Sequence, residues 1–305
     1  MTVSSLTIRK RSGYRSNCKE IWQQQGSPGM IVQIKDDFDL DRIAESGQCF
    51  RWEKDKECTY RIIAGKACLY ITATDDSFYE LDCTDEEYTC FWREYFDLGE
   101  NYHTIRKRID PEQDPFLWKA AELEQGIRIL RQDPWEMLVT FIISQNKNIP
   151  AIRRCVNMLA RRCGERMTDS RGQEYYGFPE PTAVAALSEK DLMECRLGYR
   201  WKYVHAAAAA VAGGEIKLEQ LIVADERTTI AALTALYGVG TKVANCVSLF
   251  GLHHIDAFPV DVWIRRILKE QYPDGYPYDR YAPYNGIYQQ YMFACYRHRG
   301  HEGRA

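Results

Sequence analysis

The sequence predicts an α+β protein, with an antiparallel β-rich segment over residues 30–112 and a mainly helical region over 113–300. Three observations predict it. Between Met30 and Cys90, β-branched and aromatic residues alternate in short runs separated by charged turns, the pattern of half-buried strands. From Thr84 onward the apolar spacing becomes helical and stays so. Late in that region, residues 236–266 read LYGVGTKVANCVSLFGLHHIDAFPVDVWIRR, two helical runs around a two-glycine turn and a proline break. There is no βαβ alternation, nucleotide-binding loop or internal repeat.

The elements follow in order. Residues 1–29 are polar, lack periodicity and close on Gly26-Ser27-Pro28-Gly29, so a disordered extension is expected. They contain no apolar stretch of the kind a secretory signal needs. Strands are expected at 31–34, 60–63, 67–72 and 78–81, with a short helix at 39–44. After that helix, Gly47-Gln48-Cys49-Phe50-Arg51-Trp52 reads as a glycine turn into a strand, with Phe50 and Trp52 on one face. Helices are expected at 86–96, 114–124 and 136–144, the last with Asp133 as its cap and Pro134 in its first turn. Further helices are expected at 206–211, 218–222, 229–236, 241–250, 262–270 and 284–293.

Composition narrows the function classes. The chain has 305 residues, 45% hydrophobic and 27% charged, ordinary values for a globular protein. No stretch approaches the ~20 apolar residues of a membrane span. Eleven cysteines lie singly without a CxxC pair, which fits a reducing cytosol and no disulfide framework. The formal charge of −3 speaks against a uniformly basic coat, yet phosphate binding needs only a local basic face. Arg153-Arg154, Arg161-Arg162, Arg200 with Lys202, and Arg265-Arg266 could form one.

The turn Gly238-Val239-Gly240 hands free backbone N–H groups to a helix start, a ready site for an anionic phosphate. Lys242 lies in the first turn of that helix, where the positive end of the dipole, and desolvation in a cleft, favour its neutral amine. A neutral lysine amine is a nucleophile able to form a Schiff base. Asp261 follows Phe258-Pro259-Val260 and opens the next helical run. Taken singly, Lys242 reads as a surface lysine and Asp261 as a helix cap; only their combination points to chemistry. Cys246 is four residues after Lys242 and shares its face. Gln289 and Phe293 are also four apart and share a face, by itself a sign of core packing as much as of a pocket.

Gly-Val-Gly-Thr-Lys-Val-Ala followed by Pro-Val-Asp-Val resembles the helix-hairpin-helix motif and Pro/Asp loop of base-excision DNA glycosylases. A lysine at the Lys242 position resembles the bifunctional members, which remove a base and nick the strand. Gly47-Gln48-Cys49-Phe50-Arg51-Trp52 is similar to the signature of the 8-oxoguanine DNA glycosylase branch. The resemblance implies Lys242 and Asp261 as catalytic residues. It implies a base pocket of Gly47, Cys246, Gln289 and Phe293, in which the Gly47 carbonyl accepts from the extra ring N–H of oxidised guanine. It implies DNA contacts from Asn146, which fills the gap left by a flipped base, from Tyr199 and Arg200, and from the backbone of Gly238, Val239 and Gly240. The partner implied is double-stranded DNA containing an oxidised purine, with no membrane role, and a monomer is expected. No cofactor is required, although the hairpin carbonyls could hold a monovalent cation. The C-terminal four-cysteine cluster that carries iron and sulfur in some relatives is not expected, since only Cys295 lies near the end. Ala151 departs from the pattern: it stands where eukaryotic-type enzymes have an arginine that reads the opposite cytosine. Looser discrimination between opposite bases follows from that change. Such an enzyme would work at the nucleoid of a bacterium or in a eukaryotic nucleus. A glycosylase for another damaged base and a non-catalytic DNA-binding hairpin are the competing readings.

Overall fold

Backbone alternation builds the first layer. The computed structural model describes residues 29–75 and 77–302; the extension expected over 1–29 lies, up to residue 28, outside them. Strands β1 (Met30–Gln33), β2 (Trp52–Lys56), β3 (Thr59–Ala64), β4 (Ala67–Asp75) and β5 (Phe78–Leu81) form one antiparallel sheet in the order β1-β5-β4-β3-β2. Its register stacks buried side chains in cross-strand pairs, Tyr60 against Ile71, Ile62 against Leu69, and Ile71 against Leu81. Such directly opposed pairs stabilise sheets by roughly 0.2–1 kcal/mol each. A helical stretch over 85–95, with a π-helical turn at Tyr88–Trp92, covers this face and contributes Trp92 and Tyr95 to the sheet core.

The second layer is helical. The helices of nine residues or more are α1 (Pro115–Leu123), α2 (Pro134–Ser144), α3 (Ile149–Cys163), α4 (Trp201–Ala212), α5 (Glu226–Thr234), α6 (Thr241–Phe250), α7 (Val262–Gln271) and α8 (Asn285–Glu302). Their starts follow the expected capping chemistry: Asp114, Asp133, Asn148, Asp225 and Asp261 each accept a backbone N–H two or three residues into the helix they precede. Beyond what the sequence suggested, a small hairpin pairs β6 (Arg166–Thr168) with β7 (Glu174–Tyr176).

The expected strand 50–52 is corrected by the structure. Phe50 and Trp52 do not share a face. Phe50 packs in the helical core, edge-on to Phe141 with ring centroids 6.0 Å apart. Trp52 packs in the sheet core and donates its indole N–H to Tyr95 Oη at 2.9 Å. The segment is therefore a hinge of chain crossing between the two cores, and β2 begins only at Trp52. Arg51, between them, is buried and donates to the carbonyls of Gly65 and Tyr176.

Two polar clusters bind the layers together. Fully buried Arg128 donates to Asp36 Oδ2 at 2.8 Å and to four backbone carbonyls on the segments around it, among them those of Phe96 and Asp97. Arg51 also faces Glu136 of α2, 3.9 Å away, and Glu136 accepts the Gly65 N–H at 3.0 Å. Burial pushes the Glu136 carboxyl up to about 7, against the pull of the Arg51 charge. Because its folded value lies above its unfolded one, its stabilising contribution is complete below about pH 4.5 and is lost as pH rises through about 7. Glu136→Gln should remove this slope. Relative to the wild type, the variant should gain up to about 3 kcal/mol between pH 5 and pH 8, measured by urea unfolding at both. Parallel pH profiles for the two proteins would contradict the assignment.

Candidate active site at the hairpin

The hairpin of α5 and α6 presents the positive end of α6 to solvent. Gly238 sits at φ +82°, and a Cβ there would lie 2.2 Å from Tyr203 Cγ, inside the ring's contact radius. Only glycine fits, both for its conformation and for the close approach of Tyr203. Val239 beside it is buried and anchors the turn, while Gly240 is exposed with nothing within 4 Å of where a side chain would begin. Gly240 caps α6 without a side-chain hydrogen bond, so no side chain of the cap covers the first N–H groups of α6.

Lys242 lies half-buried in the first turn of α6, its Nζ 5.6 Å from the centre of the Phe141 ring. Phe141 itself is held by stacking on Phe250 at 5.4 Å. One turn later on the same helix, the Cys246 thiol is buried. Burial pushes that thiol up, the nearby Lys242 charge pulls it down, and Asp261 adds to the rise. Asp261 Oδ1 accepts the Ile264 N–H at 2.8 Å as the cap of α7, so the capping role is real and fixes the carboxylate at the helix start.

A chain of contacts leads from Asp261 to Gly47. Gln289 on α8 is buried and donates to the Pro259 carbonyl at 3.1 Å, two residues before Asp261. One turn on, Phe293 lies against Gly47: a Cβ at Gly47 would stand 3.3 Å from Phe293 Cε1. Gly47 has φ +80°, and its neighbour Gln48 is fully buried. The Gln48 amide donates to Ser46 Oγ and the Arg128 carbonyl, and its Oε1 accepts the Leu130 N–H, each at 2.8 Å. The turn at Gly47 is thus clamped to the 128–132 segment. Arg297 closes its other side by donating to the Glu45 carbonyl at 2.8 Å.

The residues expected at a DNA face also meet. Asn146, in the left-handed region at φ +51°, donates to Tyr199 Oη at 3.4 Å. Tyr199 is 51% exposed and packs edge-on to Tyr203, which packs edge-on to Tyr237 of the hairpin turn. Arg200 points inward. Its guanidinium is buried, lies 4.4 Å from the Tyr199 ring centre and donates from Nε to the Gln145 carbonyl at 2.6 Å. Gln145 in turn donates to the Gly238 carbonyl at 3.2 Å, tying the Asn146 loop to the hairpin. Ala151 shows only its backbone to the Asn148 cap. Of the basic residues marked in the sequence, Arg153 donates to the Ala44 carbonyl, and Arg162 is engaged by Asp191 and Glu194.

Sequence reasoning missed Phe141, Gln145, Gln48 and Tyr203. Gln48 lies inside a motif quoted for other residues, and Gln145 is the neighbour of Asn146. Tyr203, five residues past Gly198, and Phe141, mid-helix, carry no local signal, because their partners come from distant segments. A cavity of about 430 Å³ opens elsewhere, behind the hairpin, lined by Glu226, Asn245, Asp256, Asp279 and Asn285. It touches neither Lys242 nor Asp261, and its acidic wall is unsuited to a polyanion.

Comparison with known proteins gives the family of the chain. Residues 30–138 match the family model described as the 8-oxoguanine DNA glycosylase N-terminal domain, and residues 139–274 match that of HhH-GPD superfamily base excision DNA repair proteins. The chain is 32% identical over 235 residues to the N-glycosylase/DNA lyase OGG1 of Arabidopsis thaliana, covering 73% of this chain and 63% of that protein, less than two thirds of its length. It is 30% identical over 268 residues to the N-glycosylase/DNA lyase of Saccharomyces cerevisiae, covering 80% of this chain and 71% of that one. The solved 8-oxoguanine glycosylase/lyase of Clostridium acetobutylicum, in complex with double-stranded DNA containing cytosine opposite 8-oxoG, superposes with a TM-score of 0.81 at 33% identity, over 89% of this chain and 98% of that one.

Proposed function

From the chain's membership of the 8-oxoguanine DNA glycosylase family, within the HhH-GPD superfamily of base excision repair proteins, we propose that it excises 8-oxoguanine from duplex DNA and then cuts the strand. The observation that carries this reading is the placement of Lys242 in the first turn of α6, one turn before the buried Cys246, with Asp261 fixed as the cap of α7, Gln289 held on the Pro259 carbonyl and Phe293 set against Gly47. In this reading the Lys242 amine and the Asp261 carboxylate share one end of the site, and the turn at Gly47 forms its other end. The open N–H groups at Gly240 to Lys242 hold a phosphate. The target nucleotide swings out of the duplex, with unstacking costing a few kcal/mol. The free amine of Lys242 forms a bond to the anomeric carbon as the bond to the base breaks, and the base leaves with the electron pair and takes up a proton. Asp261 stabilises the positive charge that develops on the sugar. The sugar ring then opens to a Schiff base on Lys242, and loss of a proton from the adjacent carbon expels the 3′ phosphate by β-elimination. Cys246 and Phe293 flank the flat base, Gln289 meets its hydrogen-bonding edge, and the Gly47 carbonyl pairs with the N–H that distinguishes oxidised guanine. Without that N–H the carbonyl would face a lone pair. Asn146 and Tyr199 occupy the gap in the stack, and Arg200 braces both through Gln145. No cofactor enters these steps; the hairpin carbonyls are a candidate seat for a monovalent cation. The place of work is wherever the chromosome lies, nucleoid or nucleus. Among the described residues no helix is long and apolar enough to cross a membrane.

Borohydride reduction during turnover tests the reading. A covalent protein–DNA adduct should form with an 8-oxoguanine duplex and not with alkylated-base or oxidised-pyrimidine duplexes. Adducts only with the other lesions would move the substrate, and binding without any adduct would leave a DNA-binding hairpin. Opposite-base preference supplies a further prediction. Ala151 offers no charge, and Arg153 and Arg200 are spent on the Ala44 and Gln145 carbonyls. Excision opposite cytosine, adenine, guanine and thymine should therefore stay within about tenfold, since each discriminating bidentate contact is worth only ~1–3 kcal/mol. A steep cytosine preference in single-turnover assays would count against this arrangement.

A further inference from the structure

Around Asn146 and Tyr199, three cations are turned inward onto backbone carbonyls: Lys147 to Arg196, Arg153 to Ala44, and Arg200 to Gln145. Arg196 is the opposite case. Its side chain is exposed and makes no hydrogen bond or ion pair among the described residues. Its backbone is held in the left-handed region at φ +60°, where a residue with a Cβ is strained by roughly 1–2 kcal/mol and glycine is not. Its carbonyl is clamped by two donors, accepting from Lys147 Nζ in the loop before α3 at 3.2 Å and from buried Cys155 Sγ within α3 at 3.3 Å. The side chain therefore projects from a fixed point on the seam between the Asn146 loop and the Gly198–Arg200 turn that carries Tyr199.

We infer that Arg196 is a DNA-binding residue, whose guanidinium contacts a backbone phosphate of the strand opposite the lesion, next to the gap that Asn146 and Tyr199 fill. A guanidinium presents paired donors that match a phosphate, and the clamped carbonyl fixes where its stem begins. An arginine where glycine would relieve strain is accounted for by what the side chain does. The contact supplies charge that Ala151 lacks, but it supplies it to the backbone, so it adds affinity without reading sequence. The inference rests on the DNA face proposed above.

The test uses the full chain with Arg196→Gly and Arg196→Lys, and measures affinity for a duplex carrying a stable abasic-site analogue across a salt series. Arg196→Gly should bind about tenfold more weakly at low salt, with the slope of log affinity against log salt smaller by about 0.9. Its melting temperature should hold or rise, since glycine suits the backbone, which separates lost contact from lost structure. Arg196→Lys should keep most of the affinity and the full salt slope. Unchanged affinity and slope in Arg196→Gly overturn the inference while leaving the proposed activity standing. A loss confined to one opposite base, with the slope unchanged, overturns it in favour of a base-edge contact. Failure of the unaltered protein to bind any duplex would instead sink the function proposed above.

Discussion

Lys242→Gln is expected to lose all borohydride-trappable adduct and to slow base excision by on the order of 10⁴-fold or more, the scale seen when an activated nucleophile is removed. Glutamine keeps most of the side chain's length and polarity, so the first turn of α6, the Phe141 contact and the Cys246 enclosure stay filled. What it removes is the amine. Folding should not suffer: a cation at a helix N-terminus is unfavourable by roughly 0.3–1 kcal/mol at exposed sites, so the variant's melting temperature should stay level or rise slightly. DNA affinity should change by only a few-fold, because the proposed phosphate contacts are the backbone N–H groups of Gly240 to Lys242, which the substitution leaves in place. The informative result is this separation. A variant that binds and folds but neither excises nor traps places the chemistry on Lys242. Residual trapping would mean that another amine forms the Schiff base. Residual excision without trapping would mean that water, activated by Asp261, is the attacking group.

Local signals in the sequence were read well where the deciding interactions are local. The helix at 241–250 is bounded by Gly240 and Gly251, and its observed span is Thr241–Phe250. Asp133 and Asp261 announced two helix starts through capping chemistry. The sheet's longer strands stood out because one face is buried and β-branched. The β6–β7 hairpin did not, since strands of three residues with exposed ends leave no period to detect. Phe50 and Trp52 defeated the alternation rule because each is claimed by a different distant partner, Phe141 in one core and Tyr95 in the other. At the site, sequence spacing placed Lys242 with Cys246 and Gln289 with Phe293, since each pair lies one turn apart on one helix. It could not show that Arg200 turns inward. That direction is set by the Gln145 carbonyl 55 positions away, and an isolated arginine in a turn says nothing of its rotamer. The same limit hid Arg196, whose interest lies in a backbone angle that sequence does not display.

Gly47→Ala should separate the two activities of the site. Alanine at φ +80° is strained, and its methyl group would stand 3.3 Å from Phe293 Cε1. The backbone has little freedom to yield, because Gln48 is tied to Ser46, Arg128 and Leu130, and Arg297 holds the Glu45 carbonyl. The ring of Phe293 must therefore move, or the Gly47 carbonyl must tilt, and either change spoils the place where the oxidised base is proposed to be recognised. The stability loss should be about 1–2 kcal/mol, readable as a shift in the urea midpoint. Excision of 8-oxoguanine should fall much further, by roughly 100-fold, the scale expected when a buried hydrogen-bond partner is misplaced in the transition state. Nicking of a duplex that already contains an abasic site should stay within a few-fold of the unaltered protein, because no base occupies the pocket and Lys242 and Asp261 are untouched. Equal loss of both activities would mean that Gly47 matters only for folding. Equal retention of both would remove the turn at Gly47 from the recognition site and leave the selectivity to Gln289 and Phe293.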